Sequence, residues 1–198
     1  YSASLKRRDN NTHLAVFSVL RGNISDSTWS AVNVSTLGNS NLVKQGDVVI
    51  ALGNMFGYAD GMAYGVISST DYKEALFDGE YDILAADIPA EQEGTGILFN
   101  MDGEVIGMIS SSVWTETENS MANAYAISDL KSVIELLANG QSVPYVGVYG
   151  TTVTSQLTEE QGIPSGVYVV DIDPDSPAMA AGIQIGDVIC TVSGEDIG

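Results

Sequence analysis

Two apolar, β-prone runs, Ile97 to Phe99 and Val105 to Ile109, flank the polar stretch Asn100-Met101-Asp102-Gly103. Within it, Asp102-Gly103 offers the positive-φ chemistry of a tight two-residue turn, so the segment from Glu93 to Ile109 reads as a buried β-hairpin. At 198 residues the chain is long enough for one large or two small domains with real cores.

This hairpin resembles the strand pair that follows the nucleophile loop in the HtrA (DegP-like) family of trypsin-fold serine proteases, where the family writes GNSGGALVNLDGEVIGI. Aligned without gaps from Asn100 backwards, the nucleophile serine falls on Gly94 and the loop reads Gln92-Glu93-Gly94-Thr95-Gly96. If Asp87 takes the place of the aspartate in the family's TDAAIN and one residue is deleted before Asn100, Thr95 falls there instead. Glu91 and Glu93 stand beside this loop and oppose the negative charge that an oxyanion site must stabilise.

Tyr1 to Val16 is similar to the family stretch YDAKVVGRDPRTDLAV, in which the aspartate before Leu-Ala-Val orients the catalytic histidine. His13, the sole histidine, stands at that position and cannot supply a carboxylate to hold an imidazolium. It reads either as a repurposed base or as a turn residue that meets solvent, and the sequence names no partner that favours the first. Lys6-Arg7-Arg8 precedes a polar turn at Asp9-Asn10-Asn11-Thr12, which leads into a strand over Leu14 to Val19, and reads as solvated. By this alignment, the segment carrying the family's catalytic histidine lies upstream of Tyr1.

Residues 31–69 carry the most extended likeness, from Val34-Ser35-Thr36-Leu37-Gly38 through Gly46-Asp47-Val48-Val49-Ile50-Ala51-Leu52-Gly53-Asn54-Met55-Phe56-Gly57 to Gly65-Val66-Ile67-Ser68, against the family's LGDS, GDWVIAIGNPFG and SGIVS. Val48 to Leu52 reads as a strand buried on both faces. Residues 70–92 are acidic and read as a solvated loop, with no fixed spacing for acid–base or cation-binding work. After strands at Val105–Ser112 and Ala124–Ile127, Ser128 is placed to cap a helix over 128–139, whose Leu130, Val133, Ile134 and Leu137 make one apolar face and which Gly140 ends.

From Pro144 the texture changes. Tyr145-Val146-Gly147-Val148 and Ser176-Pro177-Ala178-Met179-Ala180-Ala181-Gly182 through Ile189 resemble a PDZ domain of the HtrA type, with its YLGI carboxylate-receiving loop and SPAAKAGLKAGDVI helix and strand. Asp171 to Asp175 mimics the start of a calcium loop, but Ser176 and Gly182 occupy the positions that need a glycine and a bidentate glutamate, so no metal site is expected. Cys190, the single cysteine, reads as a buried inert thiol in a strand.

The expected fold is mainly β: a trypsin-like double β-barrel over 1–140, its first barrel truncated at the N-terminus and its closing helix at 128–139, then a partial PDZ domain over 144–198. The resemblance implies an HtrA-like pseudoprotease that binds peptides or unfolded protein C-termini through Tyr145, Val146, Gly147 and Val148, in envelope protein quality control. The catalytic positions His13 and Gly94 or Thr95 are degenerate, and no cofactor or metal is implied. An active serine endopeptidase, its histidine upstream of Tyr1, and a structural assembly module are the other classes. A homotrimer and an upstream membrane anchor are implied by the resemblance only. The net charge of -19 argues against nucleic acid and anionic membrane surfaces as partners. In the family the helix opposite the peptide groove follows the turn matched by Gly194 to Ile197, so residues 1–198 alone are expected to bind C-terminal peptides weakly and a longer chain through Val146 and Val148.

Overall fold

The computed structural model describes residues 1–55, 57–91, 93–110, 113 and 121–197. Its contacts divide into two compact units, one of Tyr1–Glu74 with Glu80–Val143 and one of Ala75–Gly79 with Pro144–Gly198. Ser111 and Ser112, read as the end of a strand, lie outside the described residues, as do Phe56 and Gln92 of the aligned motifs.

The first unit opens on a two-stranded sheet of β1 (Ser4–Arg8) and β2 (Ala15–Ser18), followed by the short helix α1 (Asp26–Ala31). Six strands then close a barrel: β3 (Val48–Gly53), β4 (Gly61–Leu76), β5 (Gly79–Pro89), β6 (Gly96–Phe99), β7 (Val105–Ile109) and β8 (Met121–Ala126), in the order β3-β4-β5-β8-β7-β6. The mainly β fold expected from the sequence is therefore present.

Barrel closure explains where the sequence reading of β3 fails. A closed sheet has one interior, and successive side chains point to opposite faces, so only every second residue enters it. Val49 and Ala51 are fully buried, whereas Val48 and Leu52 are 45% and 41% exposed. β3 is thus buried on one face and apolar on both.

Residues 70–92 also depart from expectation, being mostly strand rather than loop. Their acids sit on the outward side of an alternation: exposed Glu80 and Asp87 are interleaved with buried Tyr81, Ile83, Ala86 and Ile88. Lys73 of β4 lies 3.5 Å from Glu80 and 3.4 Å from Asp82 of β5, a cross-strand charge pairing on the solvent side.

The β6–β7 hairpin forms as read, but its turn is centred one residue earlier. Asn100 accepts the Gly103 N–H at 3.1 Å through its backbone, and its side-chain oxygen accepts from the N–H groups of Asp102 and Glu104. The Asn100 side chain thereby fixes a four-residue turn, and Gly103 takes the left-handed φ of 78° that ends it.

Helix α2 (Ile127–Ala138) buries Ile127, Leu130, Val133 and Leu137, and Gly140 ends it with φ 74° while Gln141 N–H returns to the Leu136 carbonyl at 2.8 Å. Its N-cap is Ala126, not Ser128. Ser128 lies inside the first turn and instead exchanges hydrogen bonds with Ser40, each backbone N–H reaching the other's hydroxyl at 3.0 Å. At the other end Lys6 Nζ donates to the Ala138 carbonyl at 2.5 Å, and Arg7 donates to Ser142 Oγ. The basic run is therefore not simply solvated, since Lys6 satisfies a terminal carbonyl of α2 at the negative end of its dipole.

In the second unit, β9 (Val148–Thr152), β10 (Val167–Ile172) and β11 (Val188–Ile189) form a sheet in the order β11-β10-β9, with α3 (Ser155–Gln161) between β9 and β10 and a small hairpin of β12 (Thr191–Val192) and β13 (Glu195–Asp196). Ser176 Oγ accepts the Met179 N–H at 3.1 Å and caps α4 (Pro177–Ala181), with Pro177 in its first turn. Val169, Ile172 and Ala178 make the core. Cys190 sits between β11 and β12, half-buried rather than buried, with its thiol directed at the Val188 carbonyl.

Candidate functional site

The turn before β2 is built by Asp9. Its buried carboxylate accepts from both the backbone N–H and the hydroxyl of Thr12, at 2.8 and 2.7 Å, while its own N–H donates to the Leu14 carbonyl. The turn leaves His13 exposed in the left-handed region at φ 60°, a conformation that histidine visits more readily than most residues. The polar turn expected at Asp9-Asn10-Asn11-Thr12 is therefore present, and what the sequence reading did not supply is the pair of Thr12 hydrogen bonds to Asp9 that fixes it. Asp9→Ala is expected to lower unfolding stability by about 1–3 kcal/mol, because it strips the buried Thr12 groups of their acceptor, and Asp9→Asn to recover part of it, as read by urea denaturation.

His13 and Thr95 line one cavity of about 520 Å³, together with Thr12, Leu14, Ala15, Ile97, Met108, Ile109, Ser110 and Tyr125. Tyr125 is held from behind by an edge-on contact with Tyr81, ring centroids 5.6 Å apart. The cavity therefore combines an imidazole and hydroxyls with an apolar floor. Asp87 is not among its walls; it lies against β4, where its carboxylate accepts the Val66 N–H at 2.6 Å.

The loop that carries Gly94 and Thr95 is tied to the end of β3. Glu91 N–H donates to the Met55 carbonyl and Asn54 N–H to the Thr95 carbonyl, both at 2.8 Å. Gly94 is buried, and its N–H donates to the Glu91 carbonyl at 2.8 Å. A Cβ at this position would lie 2.9 Å from the Glu91 carbonyl oxygen and 3.2 Å from Met55 Cα, so a side chain there requires the backbone to move. Thr95, the next residue, is exposed. Of the two positions left open by the sequence, Gly94 faces inward and Thr95 faces the cavity.

In the second unit the segment before β9 is fastened at several points. Tyr145 donates its hydroxyl to Asp173 at 3.1 Å, and partial burial, followed by that carboxylate, raises the phenol above the ordinary tyrosine range. The Val146 carbonyl accepts the Ala178 N–H at 3.0 Å, while the Gly147 carbonyl accepts the Asp173 N–H at 3.0 Å. Gly147 is buried at φ 85°, where a Cβ would overlap the Ser176 side chain. Its N–H donates to the Phe77 carbonyl at 3.2 Å. Val146 is 57% exposed, and Val148 packs on the core of Val169, Ile172 and Ala178.

No protein-family model matches the chain. It is, however, 32% identical over 98% of its length to a probable periplasmic serine endoprotease, DegP-like, of Halomonas elongata, and 33% identical over 81% of its length to one of Pseudomonas savastanoi pv. phaseolicola. Among solved structures, the HtrA-type protease AlgW with a tripeptide matches 98% of the chain at 27% identity and a TM-score of 0.66, and AlgW with a decapeptide matches 98% at 24% and 0.66. This chain belongs to the HtrA family. It spans 40% and 35% of those two curated HtrA relatives and 59–64% of the AlgW chains. In the HtrA alignment given by the sequence, His13 and Gly94 or Thr95 are the positions set against the family's orienting aspartate and nucleophile, and Tyr145 to Val148 is the stretch set against its carboxylate-receiving loop.

Proposed function

We propose that this protein is an HtrA-family pseudoprotease, which binds peptides or unfolded protein segments without cleaving them. The observation that carries the reading is Gly94: the residue aligned with the nucleophile is buried, has no room for a side chain, and has its N–H engaged by the Glu91 carbonyl. An oxyanion site needs such N–H groups free and aimed at the developing charge. His13 at the orienting position removes the carboxylate that holds a catalytic imidazole, and residues of a triad act as a unit, so loss of two leaves little beyond background.

Peptide capture is supported by the second unit. β9 is an edge strand of its sheet, open to addition of an extended ligand strand, and Tyr145 to Val148 leads directly into it. The AlgW structures hold peptides, and the periplasmic description of the curated relatives supports an extracytoplasmic location in envelope quality control. Residues 1–140 are read as the protease-fold domain and residues 144–198 as part of a PDZ domain. A trimer and an upstream anchor are assigned on the same resemblance.

The competing reading is an active endopeptidase using Thr95, favoured by the shared cavity of Thr95 and His13 and by the relatives' description as endoproteases. Incubation of full-length protein with unfolded casein and a fluorophosphonate probe decides between them. Neither turnover nor labelling is expected, and turnover that disappears in Thr95→Ala would establish the enzyme. Binding is checked by calorimetric titration of the full-length protein with a hydrophobic-tailed peptide bearing a free C-terminal carboxylate. Gly147→Ala is expected to abolish it by distorting the receiving loop, and undiminished binding by that variant would place the peptide elsewhere.

A further inference from the structure

Among the described residues β9 is an outer strand of its sheet, and its register with β10 sets Val148 against Ile172 and Tyr149 against Asp171. Val148 and Ile172 face the core, so the neighbouring pair, Tyr149 and Asp171, faces the opposite way. Both are exposed, Tyr149 to 41%. The Ile172 N–H donates to Asp171 Oδ1 at 2.9 Å and fixes that carboxylate in place. An aromatic ring thus stands at the free edge of the sheet, with a carboxylate one strand behind it.

An extended ligand added to that edge repeats the alternation of the sheet. Its side chains on the core side continue the apolar face of Val148, while those opposite Tyr149 stand on the outer face, about 9–10 Å from the β10 backbone at the usual strand spacing. A Lys or Arg side chain is long enough to lean over the Tyr149 ring toward Asp171, which joins a cation–π contact to an ion pair. The surroundings have the matching sign. Residues 144–198 hold eight Asp or Glu and no Lys, Arg or His. At the receiving end of the strand, burial, then the hydrogen bond to Asp173 and the charges of Asp173 and Asp175, hold the Tyr145 phenol above its ordinary range, the direction that a negative field gives. A ligand with acids on its outer face is repelled there, and one with bases is drawn in. With an apolar terminal residue on the core side, the positions that reach the outer face are the first and third before it.

We propose that β9 selects peptides with Lys or Arg at the first and third positions before an apolar C-terminal residue, and that Tyr149 and Asp171 are the residues that read them. This selectivity rests on the peptide-capture reading above. The test is fluorescence anisotropy of the full-length protein with three labelled peptides that share a C-terminal valine with a free carboxylate and carry Lys, Gln or Glu at those two positions. The lysine peptide is expected to bind about tenfold more tightly than the glutamine one, an advantage that shrinks as salt rises, and the glutamate peptide to bind most weakly. Asp171→Asn keeps an oxygen for the Ile172 N–H and should bring the lysine and glutamine affinities to within about twofold. Glu195→Gln removes the same charge from β13 and should leave their ratio as it was. Equal binding of the three peptides, or a lysine preference that survives Asp171→Asn or is lost equally in Glu195→Gln, overturns this proposal while peptide capture stands. Failure of all three peptides to bind overturns capture at β9 itself, and the selectivity with it.

Discussion

Gly53→Ala is expected to destabilise the protein by about 4 kcal/mol or to prevent folding, one of the largest effects for a single methyl group in this chain. Gly53 has φ 153°, in a region that L side chains rarely adopt, and it pairs with Gly96 across the β3–β6 seam. A Cβ there would overlap the Thr95 carbonyl oxygen and Gly96 Cα, both backbone atoms that cannot rotate away. Gly103→Ala is the internal comparison. Its φ of 78° is also unfavourable to alanine, yet nothing lies within 4 Å of the added carbon, so about 1 kcal/mol is expected. Denaturant midpoints for the two variants measure the difference, and equal losses would show that the close approach at the seam is not what requires glycine.

Leu98→Ala is expected to cost about 3–5 kcal/mol. Leu98 is fully buried inside the barrel, facing the same interior as Val49, Ile67 and Ala124, and its neighbours are strands held in register on both sides, so the space cannot collapse. Met62→Ala, on the outer face of β4, removes a side chain of similar volume and should shift stability by no more than about 0.5 kcal/mol. Comparable losses at the two positions would contradict the inside–outside alternation of the barrel strands.

The hairpin at 96–109, the helix at 127–138 and the Ser176 cap were legible because each signal is local: a turn, an amphipathic period, a hydroxyl before a proline. Apart from the hairpin turn, which Asn100 shifts by one residue through bonds to Asp102 and Glu104, the misreadings below were decided by distant partners. Acidity at Glu80, Asp82 and Asp87 masked a strand whose inward residues, Tyr81, Ile83 and Ile88, are held by the rest of the barrel. Ser128 looked like a cap until Ser40 claimed its hydrogen bonds from across the chain. At the candidate site the sequence supplied His13, Gly94 and Thr95 as names. That Gly94 turns inward while Thr95 and His13 share a cavity depends on the tie between Asn54–Met55 and the Glu91–Thr95 loop, which no local pattern announces.

The seam between β3 and β6 also has a history in time. β6 meets β7 through a short turn, whereas the pairing of Ile50 with Phe99 joins parts of the chain separated by the whole of β4 and β5. Loop-closure entropy makes such non-local pairing slow relative to hairpin formation. Until it forms, β3 and β6 each present a row of unpaired N–H and C=O groups flanked by apolar side chains, the combination that seeds intermolecular pairing. A chain delayed at this step would thus offer an adhesive strand edge to its neighbours, and closing the seam both hides that edge and brings the Thr95 loop to the end of β3.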